Sequence, residues 1–269
     1  MRGASAKSLT ALESAVDATV SGGADAGELG DQLFGVVAAL DMAPTLRRIL
    51  TDPSTDDAAK EGLARQIFGD KVAASTLDIV AGAVKARWSS GRDLGDALEQ
   101  GGVAAHVAGS DKAGELDDLE DELFRFGRVV AGDDELRGVL TDRTVPVAPK
   151  QALVETLLRD EATAPATALA RQAVAARTHG FEVNLAEFGD IAAQRRERLL
   201  ATVRAAYDVN DEQKLRLAAA LGQQYGREVH LNVIVDPSVI GGISVSIGDE
   251  IIDGTVSSKL EDARRRIAG

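Results

Sequence analysis

Residues 46–52 read LRRILTD, and residues 136–142 read LRGVLTD. The stretches lie 90 positions apart, and the same offset recurs along the chain. DQLF at 31–34 returns as DELF at 121–124, and Lys60 and Leu63 return as Lys150 and Leu153. Ala83, Val84, Ala86 and Arg87 return as Ala173, Val174, Ala176 and Arg177. Chance gives one such match but rarely a collinear series at constant offset without a gap. The series marks a duplicated unit, about 31–91 and 121–181. A period this long suits a duplicated helical bundle better than a solenoid of short repeats.

Periodicity fills in the elements. Leu9, Leu12 and Val16 recur at helical spacing and predict a helix over 5–20, ended by Gly22–Gly23. Further helices are expected over 29–40, over 46–52 with Pro53 as the stop, and over 55–68 with Ser54 or Thr55 as N-cap. Helices over 72–88 and 94–107 follow. DKAGELDDLEDELFRF, residues 111–126, resembles an acidic tail, but Leu116, Leu119 and Leu123 share one helical face. Its carboxylates read as a solvated face rather than a metal cluster. A long helix is expected over 182–207, roughly 39 Å at 1.5 Å per residue. Asn210 and Gln213 form a capping box for a helix that lines up Leu215, Ala218, Gly222 and Tyr225.

The period then becomes twofold. Val229, Leu231, Val233 and Val235 alternate with His230, Asn232 and Ile234, and Ile243, Val245 and Ile247 alternate with serines. Gly248–Asp249 is a two-residue hairpin turn, residues 250–253 return as a strand, and a closing helix is expected over 255–267. The fold class is therefore mainly α with a small α+β C-terminal region. Three parts are expected: a helical bundle (1–110), a second, duplicated helical unit ending in the long helix (111–207), and helix–three strands–helix (208–269).

Composition narrows the function. The 269-residue chain carries a formal charge of −13, which disfavours nucleic acid and anionic lipid as partners. Cysteine is absent, so disulfides and thiolate metal sites are excluded. No apolar run reaches the length of a membrane span and the N-terminus lacks a signal-peptide core, so a soluble, cytoplasmic protein is expected. Gly241 and Gly242 invite comparison with a phosphate loop, but a strand follows them and no lysine is placed to reach a phosphate. They read instead, with Gly248, Asp253 and Gly254, as residues that fix strand entry and turns. His106, His179 and His230 show no ligand spacing, and no G-x-S-x-G elbow occurs. No enzyme, cofactor or metal is expected. The 72–88 helix carries two apolar stripes, Leu77, Val80, Val84 and Val72, Ile79, Ala83. Such a helix is either central in a bundle or half-committed to a groove for a partner helix.

The tail, DPSVIGGISVSIGDEIIDGTVSSKLEDARR, resembles the closing pattern of the delta subunit of the rotary ATP synthase, homologue of the oligomycin-sensitivity-conferring protein. Thr255 stands where that family usually has serine, and Ser257–Ser258 replace a more basic pair. The duplication makes the chain longer than the usual member and similar to the enlarged actinobacterial form. The resemblance implies a non-catalytic stator protein, held peripherally at the cytoplasmic face of the cell membrane through the complex, with no membrane insertion of its own. It implies that the N-terminal bundle binds N-terminal helices of alpha subunits and that the C-terminal region meets a b-type peripheral stalk. Carried onto this sequence, the groove would be Leu9, Leu12 and Val16 with Val72, Ile79 and Ala83. The alternatives are a stand-alone helical scaffold using the same groove and, more remotely, a nucleotide-dependent enzyme using the tail.

Overall fold

The computed structural model describes residues 1, 3–142, 144–175, 179–198, 200–207, 209–225, 229–236, 239, 242–247 and 250–253. The chain divides into two compact units, Met1–Ala192 and Ala193–Gly269.

The duplication governs the first unit. Helix α1 (Ala4–Ser21) is followed by α2 (Ala26–Met42), α3 (Pro44–Thr51), α4 (Asp57–Phe68), α5 (Ala74–Lys85) and α6 (Gly91–Ala113). Then come α7 (Leu116–Gly132), α8 (Asp134–Thr141), α9 (Val147–Leu158), α10 (Ala164–Ala175) and α11 (Phe181–Arg198). Helices α7 to α10 repeat the bounds of α2 to α5 at an offset of 90 residues, and α11 starts 90 residues after α6. The counterpart of α1 would span residues 94–111, and those residues lie inside α6. One helix therefore closes the first copy and opens the second.

Local chemistry repeats with the helices. Asp52 accepts from the Ser54 amide and hydroxyl after α3, as Asp142 does from Thr144 after α8. Gln32 Oε1 accepts from the Ala73 amide and the Thr76 hydroxyl; Glu122 Oε2 accepts from the Thr163 amide and hydroxyl. These bonds fix the entry to α5 and α10, whose first amides have no partner within the helix. Lys60 and Lys150 are both buried, and Lys150 Nζ donates to the carbonyls of Leu140 and Asp142. Leu116, Leu119 and Leu123 are buried as their spacing predicts. The helix that holds them starts at Leu116, because Gly114 takes a left-handed φ of 75° and ends α6. The N-cap of α4 is Asp56, which accepts from the amides of Ala58 and Ala59, rather than Ser54 or Thr55. Ser54 is already engaged with Asp52.

Hydrogen bonds from Ser54 hold the Asp52 carboxyl below its ordinary value, and those from Thr144 do the same for Asp142. A carboxyl whose pKa is lower folded than unfolded contributes stability above the unfolded value, near 4, and that contribution is lost as pH falls through the folded one. Melting temperature should therefore fall below about pH 4. The double variant Asp52→Asn/Asp142→Asn keeps the acceptor oxygens and should lose less over that window. Thermal melts in stepped acidic buffers measure the difference, and equal slopes would remove these turns from the acid response.

The second unit corrects the sequence reading. The expected long helix over 182–207 stops at Arg198, and Leu200–Ala205 form strand β1. Helix α12 (Asp211–Tyr225) follows, then β2 (His230–Val235), β3 (Ile243–Ile247) and β4 (Glu250–Asp253). The sheet order is β2-β1-β3-β4, so four strands form where three were expected. β1 pairs parallel with β2 across the α12 crossover and antiparallel with β3. Leucine, alanine and arginine around Val203 favour a helix locally, and two flanking strands override them. Val203 is fully buried, packed with Leu221, Val229 and Val245.

The capping box stands as read: the Asn210 amide donates to Gln213 Oε1 and the Gln213 amide donates to Asn210 Oδ1. The face of α12 was misread, since Leu215 is 72% exposed and Leu217 and Leu221 pack on the sheet. Residues 247 and 250 pair across the β3–β4 hairpin, as the two-residue turn requires. Gly248–Asp249 and the expected closing helix over 255–267 lie outside the described residues.

Candidate partner-binding surface

The histidines do not converge within the first unit. His106 is buried, stacked on Phe34 at 5.6 Å between centroids, with Nε2 3.2 Å from Asp31 Oδ1 but not aligned as a hydrogen bond. His179 is half-exposed, 3.5 Å from Glu187. His230 sits on β2 in the second unit. Among the described residues no group of three metal-ligating side chains occurs, and no helix is long and apolar enough to cross a membrane. Of the tail residues given a shaping role, Gly242 takes a φ of 80° just before β3, and Asp253 ends β4 opposite Ser244. Gly241, Gly248 and Gly254 lie outside the described residues.

The six groove candidates lie on α1, on α5 and just before α5. Leu12, Val16, Ile79 and Ala83 are buried in the core of the first copy, and Leu9 and Val72 are partly buried against it. These side chains fasten α1 and α5 to the bundle, so most of them have no surface left for a partner. The reason is visible in the spacing: residues 9, 12, 16 and 20 make one stripe, and a helix in a bundle turns its single broad apolar stripe inward. What α1 leaves outside is its small-residue side, where Ala4, Ala11, Ala15 and Ala18 are exposed. On α5, Gly82 is exposed with nothing within 4 Å of where a Cβ would stand, and Ser75 and the C-cap residue Ala86 are half-buried.

Polar bonds pin this edge. Ser8 Oγ donates to the Arg87 carbonyl at 2.8 Å, Ser5 Oγ donates to Asp93, and the Ser89 amide donates to Ser5 Oγ. Trp88 Nε1 donates to the Ala83 carbonyl at 2.8 Å, a structural use of the lone tryptophan. The α1–α5 edge is thus a fixed shelf of small side chains, with partly buried Leu9 and Val72 at its inner margin. Small residues let another helix approach closely, and a pre-ordered shelf loses little entropy on binding. The spacing of Ala4, Ala11, Ala15 and Ala18 makes a second face of α1, and burial alone tells which face is free.

Comparison with known proteins gives a consistent result. The family model described as "ATP synthase delta (OSCP) subunit" matches residues 103–267. That span begins within α6 and takes in the second copy and the tail. A curated relative in Streptomyces griseus, "ATP synthase subunit delta", is 45% identical and covers 100% of both chains. Its namesakes in Kineococcus radiotolerans and Thermobifida fusca are 44% and 42% identical over 99% and 100% of this chain, covering 98% and 100% of their own length. Among solved structures, a chain of the Toxoplasma gondii mitochondrial ATP synthase hexamer aligns at TM-score 0.34 and 13% identity, over 62% of this chain and 95% of that one.

Proposed function

The chain belongs to the ATP synthase delta (OSCP) subunit family, and we propose that it is the stator link of a proton-translocating ATP synthase. Membership makes it a non-catalytic subunit of the peripheral stalk. In the proposed arrangement the first helical copy grips an N-terminal helix of an alpha subunit on the catalytic head. The C-terminal region, 208–269, meets the end of a b-type stalk subunit. The chain is then held at the cytoplasmic face of the cell membrane by the complex alone. The observation that carries this reading is identity of 42–45% with delta subunits over essentially the full length, both copies included.

The physics of the role fits the fold. Rotation inside the head exerts torque on the stationary parts, so the link has to dissociate slowly. Two helix contacts on one adaptor gain an effective-concentration advantage on the order of 10²–10⁴ over either alone. The shelf of α1 and α5 supplies one such contact.

Tagged chain expressed in its own host should co-purify with alpha and b-type subunits, and the isolated chain should show no ATP turnover. Recovery of other partners in place of synthase subunits would return the chain to a stand-alone scaffold. As a finer test, Ala15→Arg on the exposed side of α1 should weaken binding of an alpha N-terminal peptide by at least about 2 kcal/mol, or roughly 30-fold. Undiminished affinity would move the contact off this shelf.

A further inference from the structure

Because α6 serves both copies, the second copy owns a cleft equivalent to that between α1 and α5. It lies between α6 and α10, which pack against each other as α1 and α5 do. The two clefts are not in the same state. Exposed Ala4, Ala11, Ala15 and Ala18 on α1 correspond to Leu94, Gly101, Ala105 and Ala108 on α6, and all four of these are buried. Leu12 and Val16 of α1 and Leu33 of α2 lie over Gly101, and Leu94, Ala105 and Ala108 belong to the same core cluster. A Cβ at Gly101 would stand 2.5 Å from Leu12, one at Gly102 would stand 2.5 Å from Phe34, and one at Gly109 would stand 2.7 Å from Ala26.

Helix α2 packs along α6 through Gly102, His106 and Gly109, the counterparts of Leu12, Val16 and Thr19 on α1, and it also touches α10. Its Asp31 is 3.2 Å from His106 on α6, and Arg171 of α10 acts on the same carboxylate. Beside it the position of Leu9 is taken by Glu99 and that of Gly82 by Gln172, both buried, and Gln172 donates to Glu99 Oε1. An apolar partner helix would have to break this bond and displace the helices of the first copy.

We infer that helices α1 and α2 of the first copy cover the partner face of the second, so that the chain accepts one partner helix, on α1–α5, while the second copy spends its equivalent face holding the first. The inference rests on the stator reading for the identity of that partner. It also explains how a duplicated binding module stays in one piece: the face that grips a foreign helix in one copy grips a helix of the same chain in the other.

The test uses the full chain and a synthetic peptide of the N-terminal 20 or so residues of the same organism's alpha subunit. Calorimetric titration should give one equivalent, and a photo-reactive version of the peptide should label α1 and α5. Ala15→Arg should lower the affinity at least about 30-fold and leave no second site. A second equivalent, or labelling of α6 and α10, overturns the inference. An independent arm exploits the cysteine-free chain: Asp31→Cys with Arg171→Cys should be joined by a short bis-maleimide in the free protein. Failure to join them overturns the covered face whatever the peptide does. Peptide that binds nowhere, with the cysteines still joined, refutes the stator reading and leaves the covered face standing.

Discussion

Replacing Gly102 by leucine should lower the melting temperature of the helical unit by roughly 6–12 °C, for a loss of about 3 kcal/mol or more. Helices α2 and α6 approach closely because glycines face each other. A Cβ at Gly102 would stand 2.5 Å from Phe34 Cε1 and 3.1 Å from the Gly30 carbonyl. A Cβ at Gly30 would stand 2.4 Å from His106 and 3.0 Å from the Gly102 carbonyl. Phe34 is held by its stack on His106 and the carbonyl belongs to the helix, so neither neighbour gives way cheaply. Gly62 is the control: it is helical with nothing within 4 Å of an added Cβ, so Gly62→Ala should stabilise by up to about 1 kcal/mol. Calorimetric melts of both variants measure this. A Gly102→Leu protein that melts like the parent would mean that the two helices are not in close contact in solution. The same contact seats α2 on α6, the helix shared by both copies, so the variant should also loosen the join between copies.

The second large effect belongs to the sheet. Val203→Asp should cost on the order of 4 kcal/mol, since it puts an unpaired carboxylate at a fully buried position of β1, between β2 and β3. Arg204→Asp, one residue on and exposed, should change stability by less than about 0.5 kcal/mol. Denaturant unfolding of the two variants separates strand from helix at this point. A strand puts neighbouring residues on opposite faces, whereas neighbours on a helix differ by about 100°. Equal costs at 203 and 204 would remove β1. Under the stator reading, Val203→Asp should also reduce recovery of the b-type subunit while leaving the alpha peptide bound.

Much of this molecule was legible beforehand. The 90-residue offset in LRRILTD and LRGVLTD returned in every helix boundary from α2 to α5. The alternation of Ile243, Val245 and Ile247 became β3, and Asn210 with Gln213 closed the predicted capping box. The candidate surface was legible only in outline. The proposed shelf lies on the same two helices, α1 and α5, but Leu12, Val16, Ile79 and Ala83 were assigned to the groove because apolarity was taken for availability, and the fold uses them as core.

Sequence by itself determined the elements whose cause is local or repeated: apolar period, helix caps, turn glycines and the duplication. These depend on neighbours within a few residues, or on a second copy of the same text. Tertiary structure alone decided three things. It made 200–205 a strand, because pairing on two sides outweighs helix propensity in a segment with one β-branched pair, Thr202 and Val203. It turned Leu217 and Leu221 of α12 to the sheet and left Leu215 outside. And it made α6 belong to both copies, so that its counterparts of the exposed alanines of α1 are buried against the first copy. Which apolar face a helix buries depends on what stands opposite, and that partner can lie 70 residues or more away in the chain, as Glu99 and Gln172 do at a separation of 73.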